Sequence, residues 1–176
     1  YRMGASRVVL ARELSLEEVR QIRQQTPPQL ELEAFVHGAI CMSYSGRCVI
    51  SNYLADRDAN HGECAQPCRW KYQIVEETRP GMPLTLEQDE GGTYLFNAND
   101  MNMIAHVADL ANAGVASFKI EGRAKSSYYT AVVTNAYRQA IEGFMASGCA
   151  QDYVPEAWVQ QEVMKVSHRP YGTGFY

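Results

Sequence analysis

Glu31-Leu-Glu-Ala-Phe-Val36, closed by His37-Gly38, reads as a strand that ends in a turn. Before it come Pro27-Pro28, and before them a helix predicted over 16–25 that opens at Ser15-Leu-Glu-Glu18. There the Ser15 hydroxyl accepts from a first-turn amide while Glu18 reaches back, a capping box. Further upstream, Arg7-Val-Val-Leu-Ala11 reads as a short buried strand. Strand, helix, strand is the unit from which parallel sheets are assembled.

Downstream of the prolonged loop discussed below, Lys71-Tyr-Gln-Ile-Val-Glu76 resumes a strand-like alternation and Pro80-Gly81 marks a turn. Leu84-Thr-Leu-Glu87, Gly91-Gly92 and Thr93-Tyr-Leu-Phe96 predict a small hairpin. Asn99 or Asp100 is placed to cap a helix over about 101–113, which Gly114 closes in the C′ position. Val115-Ala-Ser-Phe-Lys-Ile120 reads as a third core strand. Ser126 or Ser127 opens a long helix to about Phe144, and Pro155 opens a last one to about Lys165. The alternation favours a parallel α/β arrangement, in which chemistry gathers where strands end. Three such ends carry Arg12-Glu13, His37-Gly38 and Glu121-Gly-Arg123, polar groups where a core strand need only turn.

The 176 residues are 46% hydrophobic and 20% charged, enough for one domain with a real core. No apolar run reaches the roughly 18 residues a bilayer span needs, and no leader opens the chain, which places it in the cytoplasm with no membrane partner. Both ends look cut, so residues 1–176 read as a single domain excerpted from a longer protein. A net charge of −4 argues against a general nucleic-acid binder. The cations are uneven, however. Arg47, Arg57, Arg69, Lys71, Lys119, Arg123 and Lys125 fall in or near the motif-rich stretches and leave room for a local basic mouth.

From Ala39 to Trp70 the periodicity breaks, apart from a possible helical turn near Cys48-Val-Ile-Ser-Asn-Tyr-Leu54. A loop this long in a compact domain is functional or tied down. Four of the five cysteines lie in it, spaced Cys41-x6-Cys48-x15-Cys64-x3-Cys68. Disulfides suit secreted chains and leave an odd cysteine over. Four unligated core thiols are a second reading. A metal site is the third: four thiolates complete a tetrahedral shell or hold the corners of an iron–sulfur cluster. Only Cys64-x3-Cys68 has the form of a zinc knuckle, which tilts the reading toward iron–sulfur and leaves zinc as the alternative. Spacing alone does not decide the metal. Cys149, far from the set, is incidental.

Glu33-Ala-Phe-Val-His-Gly-Ala-Ile-Cys41, continuing Met-Ser-Tyr-Ser-Gly-Arg-Cys48-Val-Ile-Ser51, resembles the signature of the collagenase-like peptidase U32 family. The resemblance continues through Asn52-Tyr-Leu, Arg57-Asp-Ala-Asn60, Gly62-x-Cys64, Pro67-Cys68-Arg-Trp70 and Ser117-Phe-Lys-Ile-Glu-Gly-Arg123, and spans about residues 7–176. It implies a TIM-type barrel, of which this segment would hold the later strands, with the cysteine-rich loop and the hairpin as insertions. It also implies a 4Fe-4S cluster on Cys41, Cys48, Cys64 and Cys68. The branch it looks closest to makes 5-hydroxyuridine in transfer RNA, with prephenate as a hydroxylation co-substrate.

Three functions compete. Proteolysis needs a nucleophile and a base, for which Ser45 or Cys41 with His37, and Glu33 behind, are candidates. No known triad order, nucleophile elbow or His-Glu-x-x-His helix accompanies them. RNA hydroxylation would draw on the cluster, with His37, Glu33, Lys119, Glu121 and Arg123 as candidate catalytic residues. Arg47, Arg69, Lys119 and Arg123 suit a carboxylate cofactor or an RNA phosphate, Arg47 and Arg69 being the cofactor-binding candidates. Tyr44, Tyr53, Trp70 and Tyr72 suit base stacking, although most tyrosines and tryptophans simply pack. Lys119 and Glu121 also fit an internal ion pair, and Arg123 a counter-charge for Glu121. The third function is a scaffold in which a structural metal staples the loop. A sheet folded from this segment alone would expose an edge and invite self-association.

Overall fold

The computed structural model describes residues 1–41, 43–44, 47–70, 73–75, 77–78, 80–81, 84–85, 99–123 and 125–176. They divide into two compact units, one of Tyr1–Ile40 with Asn99–Tyr176 and the other Cys41–Ala98.

The first unit is mixed α/β, built on a five-stranded sheet. Its strands are β1 (Arg7–Val9), β2 (Glu31–Ala39), and, after β3 (Gln73–Ile74) and β4 (Leu84–Thr85) of the other unit, β5 (Asp100–Asn102), β6 (Val115–Ile120) and β7 (Tyr171–Gly172). β1 and β6 pair parallel to β2 on opposite sides of it, since Glu33 faces both Val9 and Ser117. β5 runs antiparallel and follows β1 along the same side of β2, with His37 opposite Asn102. β7 lies parallel to β5 beyond it. Among the described residues the sheet stays open and β6 pairs only with β2. The expected wholly parallel order thus holds for the three strands read from the sequence and fails at β5.

Helix α1 (Leu16–Gln25) carries the capping box: Ser15 Oγ accepts from the Glu18 amide at 3.3 Å and Glu18 accepts from the Ser15 amide at 2.7 Å. Its exit is tied by Arg23, whose guanidinium donates to the Leu30 carbonyl at 2.6 Å. Asn99 and Asp100 do not cap the next helix. Asp100 is in β5, a 3₁₀ turn covers Ile104–His106, and helix α3 is Val107–Asn112. Met101, in the range read as helical, is instead buried on β5, and buried Met103 stands at the N-cap of the 3₁₀ turn. Helix α4 (Ser127–Ala146) is capped by Ser126, whose hydroxyl accepts from the Tyr129 amide at 3.2 Å. Helix α5 (Ala157–Glu162) and a 3₁₀ turn at Val163–Lys165 follow.

These helices bury Val19, Leu110, Val133 and Ala140 in one core with Leu32, Ala34 and Val36 of β2. Each fully buried aliphatic side chain contributes roughly 1.5–3 kcal/mol. Among the described residues no helix is long and apolar enough to cross a membrane.

The second unit has little regular structure. Helix α2 (Ile50–Ala55) and 3₁₀ turns at Ala59–His61 and Pro67–Arg69 precede a two-residue ladder of β3 (Gln73–Ile74) and β4 (Leu84–Thr85). The turn expected near residues 48–54 is thus α2. The Thr93–Phe96 arm of the expected hairpin lies outside the described residues, and β4 pairs with β3.

Candidate functional site

In the first unit the strand ends are built around His37. The alternation of β2 is interrupted by a register shift between Phe35 and His37 against β6, so Val36 and His37 are both buried. A bulge of this kind re-aims a side chain. Gly38 then takes φ +110°, and a Cβ there would lie 2.2 Å from the Glu121 carbonyl oxygen, so only glycine fits. His37 is 1% exposed and its ring sits among Tyr129, Tyr137 and Tyr171, with centroids at 6.0, 5.5 and 5.2 Å.

The hydrogen bonds fix its tautomer. Tyr171 Oη donates to the Val163 carbonyl at 3.0 Å, so at 3.2 Å it accepts the Nε2 proton of His37. Nδ1 keeps its lone pair and has no hydrogen-bond partner among the described residues. Burial lowers the His37 pKa to about 4, against the opposing pull of Asp100 and Asn102, so the ring is neutral at pH 7. Burial likewise pushes the phenols of Tyr137 and Tyr171 up. Tyr137 Oη bridges the core by donating to the Val36 carbonyl at 2.7 Å and accepting from the Met103 amide at 3.0 Å. Fully buried Asp100 meets Lys125 Nζ at 3.4 Å and accepts from the Arg169 amide at 3.2 Å.

The other strand candidates form two ion-paired groups. Glu33 accepts from Ser117 Oγ at 2.8 Å and lies 3.4 Å from both Lys119 Nζ and Arg7 Nη1. The Ser117 bond, more than the neighbouring cations, holds the Glu33 carboxyl below its usual range. Glu121 is buried and paired with Arg123, whose amide and Nε approach Oε1 at 3.0 and 3.2 Å. Lys119 is therefore paired with Glu33 rather than Glu121, and Arg123 is the counter-charge of Glu121. Two cations approach the Phe35 ring, with the Arg12 guanidinium 3.7 Å and Lys119 Nζ 5.2 Å from its centre.

In the second unit all four cysteines are half-buried and none of them forms a disulfide. Cys41 opens the unit, Cys48 stands two residues before α2, Cys64 follows the first 3₁₀ turn and Cys68 lies in the second. Ser51, buried on α2, accepts from the Ala65 amide at 2.9 Å and fastens the helix to the Cys64 segment. Left-handed backbone at Asp56 and Gln66 turns the chain on either side. The Gln66 amide then points at Cys64 Sγ, 3.3 Å away, the type of bond that orients a thiolate ligand. Burial pushes the Cys68 thiol up, Cys41 adds most to that, Arg69 opposes it, and Cys64 and Cys48 push the same way. Cys68 is thus within electrostatic reach of the other three sulfurs. Among the described residues, no group of three or more His, Cys, Asp or Glu side chains is assembled, as it stands, to hold a metal ion. The donor set of four cysteines in one small unit, none in a disulfide, suits a thiolate-held centre in its chemistry. Arg47 is exposed and Arg69 half-buried in the same unit, while Ser45 and Tyr72 lie outside the described residues.

The structure thus pairs Glu33 with Lys119, and Glu121 with Arg123, in the first unit, and places Cys41, Cys48, Cys64 and Cys68 in the second without assembling three of them into one group. The residues that sequence reasoning missed are the companions of His37. Asp100 looked like a helix cap, and Tyr171 sat in a glycine-rich run with no periodicity. Lys125 and Tyr129 flank a helix start and carry no local signal of a buried histidine.

A mixed α/β unit joined in sequence to a cysteine-bearing unit is the class defined by this architecture. The whole chain, residues 1–176, matches the profile of peptidase family U32 and belongs to that family. It is 40% identical over 212 residues to the tRNA hydroxylation protein P of Escherichia coli (strain K12), covering 98% of this chain and 46% of that protein. It is 38% identical to a 23S rRNA 5-hydroxycytidine synthase of the same organism, covering 81% of this chain and 20% of that protein. Identity to a protein named Collagenase from Porphyromonas gingivalis is 35%, covering all of this chain and 43% of that protein. The chain spans less than half the length of these relatives. No solved structure matches it.

Proposed function

We propose that this chain is the cysteine-bearing part of an RNA-hydroxylating protein that acts in the cytoplasm on transfer RNA and forms 5-hydroxyuridine. The observation that carries this reading is the set of four half-buried cysteines in one unit, none in a disulfide, in a relative of proteins named for tRNA and rRNA hydroxylation. Cys41, Cys48, Cys64 and Cys68 would hold a 4Fe-4S cluster, or zinc as the alternative. When bound, the cluster would supply electron transfer or an iron that activates substrate.

The protein's own contribution is positioning and charge. Arg47 and Arg69 would bind a carboxylate co-substrate, for which prephenate is the candidate, or an RNA phosphate. On the strand ends, neutral His37 offers a lone pair at Nδ1 while Tyr171 holds its Nε2 proton in place. Glu33 with Lys119, and Glu121 with Arg123, are charged groups whose geometry is already fixed by pairing. The parallel β1–β2–β6 neighbours, with helix α1 between the first two and α3 before the third, suit the later part of a TIM-type barrel.

The relative named Collagenase favours proteolysis as a second reading. Against it, the Nε2 proton of His37 is bound by Tyr171 and three tyrosine rings surround the imidazole, the setting of a packed structural histidine. One experiment separates the two. Cells whose only copy of the full-length protein carries Cys41→Ala should lose 5-hydroxyuridine from digested transfer RNA while keeping normal protein levels. Unchanged nucleoside content, together with peptidase activity that survives loss of all four cysteines, would establish the protease instead.

A further inference from the structure

We propose that the cysteine unit carries a nucleobase-stacking platform, formed by Tyr44, Tyr53 and Trp70 with Arg47, Arg57 and Arg69, whose ligand is unpaired single-stranded RNA. This rests on the RNA reading above and names the surface that would meet the RNA. Tyr53 is 86% exposed, Tyr44 67% and Trp70 47%, while Ser51 and Pro67 are the buried residues among those described in this unit. That inverts the usual order, because a buried aromatic removes about 150–250 Å² from water and a serine far less.

Local geometry explains how the rings are kept outside. Ser51 faces inward to accept the Ala65 amide. Tyr53 follows it by two residues, about 200° around the helix, and so points away. Val49, one turn earlier on that same side, is also exposed. Asp56 ends the helix in left-handed backbone, so Arg57 follows directly, and Trp70 closes the second 3₁₀ turn through its amide on the Pro67 carbonyl at 3.0 Å.

Each exposed ring has an arginine close by in sequence: Arg47 three after Tyr44, Arg57 four after Tyr53, Arg69 just before Trp70. Aromatic faces stack on any base, and guanidinium groups add phosphate contacts and stacking of their own. Arginine beside tyrosine and tryptophan serves protein interfaces as well, and the kinship with RNA-hydroxylating proteins selects the base as occupant here. Over residues 41–70 the three arginines are offset by Asp56, Asp58 and Glu63, so phosphate attraction is weak and stacking supplies most of the binding. A duplex hides its base faces and offers nothing to such a surface.

The test is fluorescence anisotropy of the full-length protein, purified without oxygen, with a labelled oligouridylate of about 12 nucleotides, near the upper end of one ssRNA site. Tyr53→Ala and Trp70→Ala should each weaken binding about 5- to 150-fold, the measured range for loss of one stacked base. Tyr53→Phe should bind like the parent. Raising salt from about 50 to 200 mM should weaken binding by no more than about 20-fold, the limit for three single-strand phosphate contacts. Parent-like binding by both alanine variants, or equal binding of a duplex of that length, overturns the proposal. So does self-association in sedimentation that Tyr53→Ala abolishes while RNA binding is unchanged. The reaction is read separately: stacking-dependent binding in a protein that makes no 5-hydroxyuridine upholds the platform and removes only the hydroxylation reading.

Discussion

The two units of this chain are held together by different physics. In the first, strands and helices enclose a continuous apolar core in which Val19, Leu110, Val133 and Ala140 are wholly buried. In the second, the buried residues among those described are a serine and a proline, and the backbone turns through short 3₁₀ segments and left-handed residues. A core of the first kind supplies its own folding free energy through burial. The described residues of the second unit bury little apolar area to offset the entropy of ordering the chain. Its four half-buried thiols are where the missing free energy would enter, since metal ligation in such units is folding free energy. The lesson is that apolar burial accounts for the order of the first unit and leaves that of the second to be explained by something else.

The largest expected effect breaks the second unit alone. Replacing Cys64 and Cys68 together by serine should expose the amides of Ile50–Ala55 to fast hydrogen exchange while those of β2 and α4 stay protected. Loss of protection in both units at once would show that the units are not energetically distinct.

The next effect is confined to the first unit. Leu110→Ala removes a fully buried side chain and should cost about 2–5 kcal/mol in denaturant unfolding of β2 and α4. The reactivity of Cys48 and Cys64 toward a thiol reagent should not change. A change in that reactivity would mean that core packing in one unit governs the other.

The smallest effect sharpens the role of His37. Its folded pKa of about 4 lies below the unfolded value, so its contribution to stability is complete above about pH 6.5. It is lost as pH falls toward 4, at most about 3 kcal/mol. Asp100, Lys125, His168 and the surrounding tyrosines face the same pocket and are retained in His37→Gln, which should flatten this part of the pH profile. Identical profiles for the two proteins between pH 7 and 4.5 would place the dependence elsewhere.

Much of the first unit was legible from residues alone. Ser15 and Glu18 announce α1 because a capping box is a local device, and Val115–Ile120 is a strand by composition. What failed was non-local. Asp100 is a good cap by type, yet it is claimed by Lys125 and by the Arg169 amide, both distant in sequence. His37-Gly38 should have ended β2, but pairing with β5 carries the strand on to Ala39. The cysteines were visible as a set because thiol chemistry is rare and their spacing is short. The tyrosine surroundings of His37 were not, because Tyr129, Tyr137 and Tyr171 converge only once the helices pack.

The account stands on the four sulfurs serving one inorganic centre. Iron and acid-labile sulfide measured on full-length protein purified without oxygen, with the absorbance near about 400 nm, test this most directly. The expectation is one iron–sulfur cluster per chain, lost when any of Cys41, Cys48, Cys64 or Cys68 is replaced by serine. Iron and absorbance equal in the parent and in a variant lacking all four cysteines, or absent from both along with zinc, would contradict it.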